Sequence, residues 1–186
     1  NEVMVVHAAT GVHLLAAPPR PELAERVSGE QFTKLVKYLQ QIYTYIVIDT
    51  GAYLNDTVLA ALDMANIIVL VTSQEIPSIK SCNLFLSLAD MMKIQRASIL
   101  FTMNRFDKRI AISPDKVGES LRQEIVATIP FDDRLVTTSV NRGIPFMLDN
   151  KTHIVSKAII SLADMIKERI EKSYAPLEQN TPAGKR

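Results

Sequence analysis

Asp49 is a residue whose type and setting could do chemistry. It closes the apolar run YIVID and opens the string DTGA within YTYIVIDTGAYLNDT, residues 43–57. A carboxylate in such a string is used in two ways. It forms half of a proteolytic dyad in which two carboxylates share a proton, or it holds Mg²⁺, directly or through water, beside nucleotide phosphates.

The rest of the sequence argues against the proteolytic interpretation. A dyad needs two carboxylates, and this chain has a single DTG. A retroviral-type aspartic protease is also all-β and rich in glycine, whereas this chain has 6 Gly and continues after Asp49 into NDTVLAALDMA, which has helical spacing. Asp49 is then either a metal aspartate of the Walker B kind or a strand-end residue that caps the next helix.

Polar residues also follow other apolar runs. In an open α/β sheet, ligands bind outside the carboxyl ends of the strands, so we treat these residues as one set. They are Thr72, Ser73 and Gln74 after one run, Asn104 and Arg105 after the next, and Pro130, Phe131, Asp132 and Asp133 after a third. Together with Asp49, they predict a ligand site at one edge of the sheet.

Five short apolar runs are typical of strands buried on both faces. They span residues 11–17, 45–49, 67–72, 97–103 and 124–129. Segments with helical spacing alternate with these runs, and this alternation implies right-handed crossovers between parallel strands. We therefore expect an α/β fold with a doubly wound, mostly parallel sheet and helices on both faces.

Capping residues indicate where the predicted helices begin. The signals are a Ser28–Gln31 capping box, Pro77 in a first turn, and Ser113 followed by Pro114. A final helix is predicted over residues 152–173, with an apolar stripe that we expect to face the core.

Composition excludes several classes of protein. Hydrophobic residues make up 47%, charged residues 22%, and the formal net charge is +1, which argues against a disordered chain or a strongly basic nucleic-acid binder. The single cysteine, Cys82, lies on an apolar helix face, where we expect it to pack in the core. No run approaches the roughly 20 apolar residues of a membrane span. We expect a soluble, cytoplasmic protein and, because the sequence begins with Asn1 rather than Met, further sequence upstream.

Three longer stretches follow one family order. They are YTYIVIDTGAYLNDTVLAALDMANIIVLVTSQEIPSIKSCNLF, then ILFTMNRFDKRIAISPDKV, then IVATIPFDDRLVTTSVNRGIPFM. Together they resemble the MinD/ParA group of P-loop ATPases. Within that group the chain is most similar to the CpaE/TadZ proteins of Flp (Tad) pilus assembly, through GVHLLAAPPRPELAERV, the IPSIKSC turn, and NRFDKR before ISPDKV. The resemblance covers about residues 11–148.

This resemblance implies ATP and Mg²⁺ as cofactors and gives roles to the site residues. Asp49 matches a deviant Walker B aspartate that assists Mg²⁺, and residues 50–56 match a loop that responds to the γ-phosphate. The residues that match the surroundings of the adenine are Asn104 with Arg105 beside it, and the loop Pro130, Phe131 and Asp132. The resemblance further implies a nucleotide-dependent homodimer that positions pilus secretion machinery, usually at a cell pole.

Two departures from the family pattern matter. Gly51 stands where the family commonly has proline, so the loop after Asp49 could be looser. No glycine-rich lysine loop of the KGGxGKT kind occurs, and such a loop at a helix N-terminus is what cradles phosphates. ATPase activity therefore depends on where that loop is.

Two explanations of the missing loop compete. Either it lies upstream, and residues 1–175 are the C-terminal two-thirds of the ATPase domain with residues 176–186 as a flexible tail, or the chain is a nucleotide-independent scaffold of the same fold. Deleting inner strands would expose unpaired backbone in mid-sheet, which favours the first explanation. The resemblance also permits a receiver-like domain further upstream.

Other ligands have weaker support. The three histidines lack metal-ligand spacing. A ParA-like chromosome-partitioning ATPase would bind nonspecific DNA through basic residues such as those between positions 105 and 116. Because the net charge is only +1, these residues are better explained as part of a solvated loop, and we expect no DNA binding. Those residues are Arg105, Lys108, Arg109 and Lys116. The final helix should use its apolar face in the core, so we also expect no direct membrane insertion.

Overall fold

The computed structural model describes residues 4–18, 20 and 26–174. The chain divides into two compact units, Asn1–Ala65 and Asn66–Arg186. The tail predicted for residues 176–186 lies outside the described residues, and the assignment of residues 1–175 to one ATPase domain stays a prediction.

The first unit begins with an antiparallel hairpin. Strand β1, Met4–Val6, pairs with β2, His13–Leu15, in the register Met4↔Leu15. The connecting turn is closed by Gly11, whose φ is 71° and whose N–H donates to the His7 carbonyl at 2.8 Å. The prediction of a parallel strand at residues 11–17 is therefore wrong in direction, because so short a connection can join only antiparallel neighbours.

Two helices complete the described part of this unit. Helix α1, Gly29–Leu39, begins at the predicted capping box: the Gln31 N–H donates to Ser28 Oγ at 3.3 Å, and the Ser28 N–H donates to Gln31 Oε1 at 3.0 Å. Helix α2, Asp56–Met64, is capped by Asn55 and packs against α1. The two helices approach closely at Gly29, where a Cβ atom would lie 2.8 Å from the Asp56 carbonyl oxygen.

The predicted strand at residues 45–49 is not formed. These residues have neither helical nor strand structure, and Val47, in the middle of the apolar run, is 94% exposed. A strand exists only when a neighbour accepts and donates its backbone hydrogen bonds. The described residues contain no strand paired with this segment, so its apolar pattern alone does not order it.

The second unit contains a three-stranded sheet, entirely parallel in the order β3-β4-β5. Strand β3 is Ile68–Thr72, β4 is Ile99–Phe106 and β5 is Ile125–Pro130. The register pairs Thr72 with Met103 and Phe106 with Pro130, so the three carboxyl ends lie along one edge. The expectation of an α/β fold with parallel strands is confirmed.

The described residues of this unit also form five α-helices. They are α3 (Ile76–Met91), α4 (Pro114–Leu121), α5 (Asp133–Arg142), α6 (Phe146–Asp149) and α7 (Ile154–Tyr174), with a short 3₁₀ turn at Arg96–Ser98. The predicted starts of α3 and α4 are confirmed, with Pro77 in a first turn and the Lys116 N–H donating to Ser113 Oγ. Helices α5 and α6 were not predicted. No described helix combines the length and apolar character needed to cross a bilayer.

The core of the second unit is built on β4. Its residues Ile99–Met103 are all buried, and because alternate side chains of a strand point to opposite faces, both faces of β4 are covered. On one face Phe101 and Met103 pack with Val117 of α4 and Cys82 of α3. Cys82 is 4% exposed, as predicted, and burial raises the pKa of its thiol although a hydrogen bond with Thr72 acts in the opposite direction.

The outer edge of β3 has no strand partner among the described residues. Val69 and Val71 of this strand are exposed, Val71 to 51%. An apolar edge strand with unpaired backbone N–H and C=O groups can pair with a further strand, which would extend the sheet.

Candidate functional site

The carboxyl ends of β4 and β5 bring together five of the six predicted site residues. Because these strands are parallel and Phe106 lies opposite Pro130, the sequence Asn104–Arg105 at the end of β4 adjoins the segment Pro130–Asp132 at the end of β5. This neighbourhood is the one expected for ligand sites in open α/β sheets. We refer to these five residues as the β4–β5 site.

Arg105 has an unusual backbone conformation. Its φ is 55°, in the left-handed region, and the β4–β5 register shifts between Met103 and Phe106. The other two non-glycine residues with positive φ among the described residues, Lys93 and Arg122, lie at the ends of helices, where this conformation is common. In a strand it costs about 1 kcal/mol or more and marks a bulge that redirects a side chain.

The bulge places the Arg105 guanidinium over the ring of Phe131. The guanidinium carbon lies 4.9 Å from the ring centroid, within the range of a cation–π contact. The backbone on both sides is held: Asn104 Oδ1 accepts from the Arg105 N–H at 2.9 Å, and the Phe131 N–H donates to the Phe106 carbonyl at 2.9 Å. Phe131 remains 42% exposed, so solvent and ligands can reach part of its ring.

Asp132 has a structural role as well as a predicted binding role. Its Oδ1 accepts from the Leu135 N–H at 2.8 Å and so caps helix α5. Its Oδ2 lies 3.3 Å from His153 Nε2. Since the other ring nitrogen of His153, Nδ1, accepts from the Val155 N–H at 3.3 Å, a neutral imidazole with its proton on Nε2 satisfies both contacts.

The residues that end β3 turn inward. Thr72 is buried, and its hydroxyl bonds with Ser78 Oγ at 3.0 Å, while Ser73 donates its N–H to the same oxygen at 3.0 Å. Gln74 is 5% exposed and bonds two backbone groups of the loop after β4. The first of these groups is the amide of Asp107, whose carboxylate pairs with the Arg109 guanidinium; the hydrogen bonds from Arg109 lower the Asp107 pKa to about 2.

Asp49 lies in the first unit, whereas the β4–β5 site lies in the second. Its side chain is exposed and makes no hydrogen bond or ion pair with the described residues. It does not cap α2, because Asn55 does so through an Oδ1 that accepts from the Val58 N–H at 2.9 Å. The structural alternative considered for Asp49 is therefore wrong, and its metal role stays a prediction.

The residues present fit one end of a nucleotide better than the other. The β4–β5 site offers a partly exposed aromatic ring beside the exposed amide side chain of Asn104, which suits a planar base. In the part of the chain that the structure describes, no glycine-rich loop precedes a helix, and no group of three or more His, Cys, Asp or Glu side chains could hold a metal ion. The chemistry for triphosphate and Mg²⁺ is thus incomplete in these residues.

A cleft of about 280 Å³ is lined in part by Asp132 of the β4–β5 site. The rest of its lining comes from α5, α6, the residues that follow these helices, and His153, and it includes neither Arg105 nor Phe131. A base against the Arg105–Phe131 surface would therefore lie outside this cleft.

Sequence reasoning placed Gln74 among the strand-end residues but did not predict its buried contacts, and it missed His153. Both act through contacts with residues far away in the sequence, 33 residues for Gln74 to Asp107 and 21 for His153 to Asp132. One local signal was available for α5, since Asp132 is a favoured N-cap residue and Gly143, with φ 62°, ends the helix.

One curated relative aligns along almost the whole chain. The septum site-determining protein MinD of Thermotoga maritima is 28% identical over 185 residues, which cover 97% of this chain and 66% of the relative. The chain therefore spans slightly less than two thirds of the length of that protein. No protein-family model matches the chain.

Solved structures resemble the fold. A ParA family ATPase from Chlorobium tepidum has a TM-score of 0.77 at 22% identity, covering 84% of this chain and 65% of its own. The septum site-determining protein MinD from Pyrococcus horikoshii, solved as a complex with Mg-ADP, has a TM-score of 0.75 at 21% identity, covering 90% of this chain and 68% of its own. This chain is thus similar in sequence to MinD of Thermotoga maritima and similar in fold to a ParA family ATPase and to MinD of Pyrococcus horikoshii.

Proposed function

We propose that residues 1–175 form the C-terminal two-thirds of an ATP-binding domain, which acts as a nucleotide-switched localisation and assembly factor of the CpaE/TadZ type. The observation that supports this most is the β4–β5 site, where a strained residue holds a guanidinium against an exposed aromatic ring at the carboxyl edge of a parallel sheet. Backbone strain is retained where it serves a site.

The β4–β5 site would bind the base. An adenine ring would stack against Arg105 and Phe131, and the Asn104 side chain and the Pro130–Asp132 backbone would offer hydrogen bonds to its edge. Asp132 is already committed to capping α5, so its contribution is to fix the course of this loop.

The phosphate end would be completed by residues outside this chain. A glycine-rich lysine loop between a strand and a helix supplies the amides and charge that a triphosphate needs. Its strand would extend the free edge of β3, which is apolar and unpaired among the described residues. Asp49 would assist Mg²⁺, through a bound water, once residues 45–49 have strand neighbours.

The partners proposed are a second copy of the protein and components of the pilus secretion machinery. The nucleotide-dependent switch would be the formation of a homodimer around bound nucleotide. The protein would be located in the cytoplasm, at a cell pole. The motifs that resemble CpaE/TadZ proteins, NRFDKR before ISPDKV and the IPSIKSC turn, support this choice. The relative from Thermotoga maritima is named for determining a septum site, which is also a positioning function.

A nucleotide-independent scaffold of the same fold is the second candidate. The absence of a phosphate-binding loop from this sequence favours it. DNA binding has less support, because two of the basic residues near the sheet edge are engaged: Arg105 with the ring of Phe131, and Arg109 with Asp107.

Isothermal titration with Mg²⁺ and ATP separates the two candidates. Residues 1–186 should bind ATP no better than about 1 mM, equivalent to roughly 4 kcal/mol, whereas the complete protein should bind in the micromolar range. In the complete protein, Phe131→Ala should weaken binding, and Val140→Ala, an exposed position on α5, should not. Micromolar binding by the 186-residue chain would mean that it contains its own phosphate site, and no binding by the complete protein would favour the scaffold.

A further inference from the structure

Gln74 bridges the end of β3 to the loop that follows β4. Its Oε1 accepts from the Asp107 N–H at 2.6 Å, and its Nε2 donates to the Ile112 carbonyl at 2.8 Å. The side-chain amide thus holds both ends of the connection between β4 and α4. At 5% exposure, neither group of the amide has water as a ready substitute partner.

The Asp107 N–H belongs to the same peptide unit as the Phe106 carbonyl. That carbonyl accepts from the Phe131 N–H at 2.9 Å. One planar peptide is therefore fixed from two sides, by Gln74 through its N–H and by Phe131 through its oxygen. A rotation of this peptide plane would therefore disturb the hydrogen bonds to Gln74 and to Phe131 together.

This peptide unit begins at Phe106, one residue after the strained Arg105. A residue in the left-handed region stays there only when its surroundings hold it. On the N-terminal side of Arg105, its own N–H donates to Asn104 Oδ1 at 2.9 Å. On the C-terminal side, the Phe106–Asp107 peptide is the second peptide unit after Arg105. Fixing that peptide therefore limits how far the bulge can relax.

We propose that Gln74 is the positioning residue of the β4–β5 site, acting through the Phe106–Asp107 peptide to hold Phe131 under the guanidinium of Arg105. The consequence for nucleotide binding rests on the proposed function, but the positioning itself does not. Gln74 follows β3, so the geometry of the β4–β5 site depends on the end of a third strand.

Amide hydrogen exchange in residues 1–186 tests the positioning without any ligand. Gln74→Met keeps the length and burial of the side chain but removes both hydrogen bonds. The Phe131 amide should then exchange at least about fivefold faster, the size expected for the loss of one net hydrogen bond. The matched control is Ser78→Ala, which removes hydrogen bonds from the same turn but none to the loop after β4, and it should leave Phe131 exchange unchanged.

Nucleotide binding by the complete protein provides the second readout. Gln74→Met should weaken ATP binding about fivefold and reduce the preference for ATP over GTP, because the base surface is no longer held in one position. Ser78→Ala should keep both within about twofold. If the wild-type complete protein binds no ATP, the proposed function fails, while the exchange result still decides the role of Gln74.

Unchanged Phe131 exchange in a folded Gln74→Met variant would overturn the inference. If that variant does not fold, amide exchange in the wild-type chain tests the inference instead. The Asp107 and Phe131 amides flank the same peptide plane, so they should show matching protection. A protected Phe131 amide beside a freely exchanging Asp107 amide would show that Gln74 does not hold the peptide.

Discussion

Replacing Arg105 by glycine and by alanine tests whether the β4–β5 site stores backbone strain. Both variants remove the cation–π contact with Phe131, worth about 0.5–1 kcal/mol at an exposed site. They differ in the backbone. At a φ of 55°, alanine keeps a penalty of about 1–2 kcal/mol that glycine does not have.

Glycine also has a cost, because its unfolded chain is freer by about 0.5–1 kcal/mol relative to alanine. The difference between the two terms makes Arg105→Gly more stable than Arg105→Ala by roughly 0.5–1 kcal/mol. This order is the reverse of the usual one in strands and loops. Urea unfolding of residues 1–186 measures this difference in stability when the midpoints and slopes of the two variants are compared.

Lys108 supplies the control, since it is exposed, lies in the loop after β4 and does not have a positive φ. There, the glycine variant should be less stable than the alanine variant by about 0.5–1 kcal/mol. If the pair at Arg105 ranks in the same order as the pair at Lys108, the left-handed conformation and the strain assigned to it are refuted.

Three further outcomes are expected. In the complete protein, Asp49→Ala should slow Mg²⁺-dependent ATP hydrolysis at least tenfold, about 1.4 kcal/mol, and an unchanged rate would remove Asp49 from the site. Gly29→Ala should destabilise residues 1–186 by about 1–3 kcal/mol in thermal unfolding, because the new Cβ would lie 2.8 Å from a backbone oxygen of α2. Gly51→Ala is the control: a Cβ at this position has no atom within 4 Å, so stability should change by less than about 0.5 kcal/mol. Equal effects of the two substitutions would contradict the close contact between the helices. Because its pKa is lowered to about 2, Asp107 stabilises the fold above about pH 4 and loses this effect as the pH falls toward 2; Asp107→Asn should flatten that part of the unfolding profile, and a profile like the wild type would exclude the ion pair with Arg109.

The parallel strands of the second unit could be predicted because burial on both faces leaves a local pattern. The runs at residues 67–72, 97–103 and 124–129 lie within three residues of β3, β4 and β5 at each end. Helix starts were equally local, since a cap and its first turn lie a few residues apart, as at Ser28.

The segment 45–49 shows the limit of this reasoning. Its apolar pattern matches that of the strands that do form, but a pattern does not indicate whether a partner is available. Its five residues have no strand neighbour among the described residues, and Val47 is exposed.

The site was predictable as a neighbourhood but not in its geometry. Parallel strands place Asn104 beside Pro130 whatever the side chains are. The left-handed Arg105, the peptide held by Gln74 and the link from Asp132 to His153 depend on register and on contacts between distant residues. No local propensity encodes them.

The buried thiol of Cys82 makes this chain convenient for site-specific probes. Reagents such as maleimides attack the thiolate, and this cysteine, the only one in the sequence, is both shielded by the core and held in its protonated form by burial. A cysteine introduced at the exposed Phe131 or Val47 would therefore react alone, with no need to remove the native residue. A fluorophore at either position would report separately on the end of β5 or on the segment that lacks a strand partner.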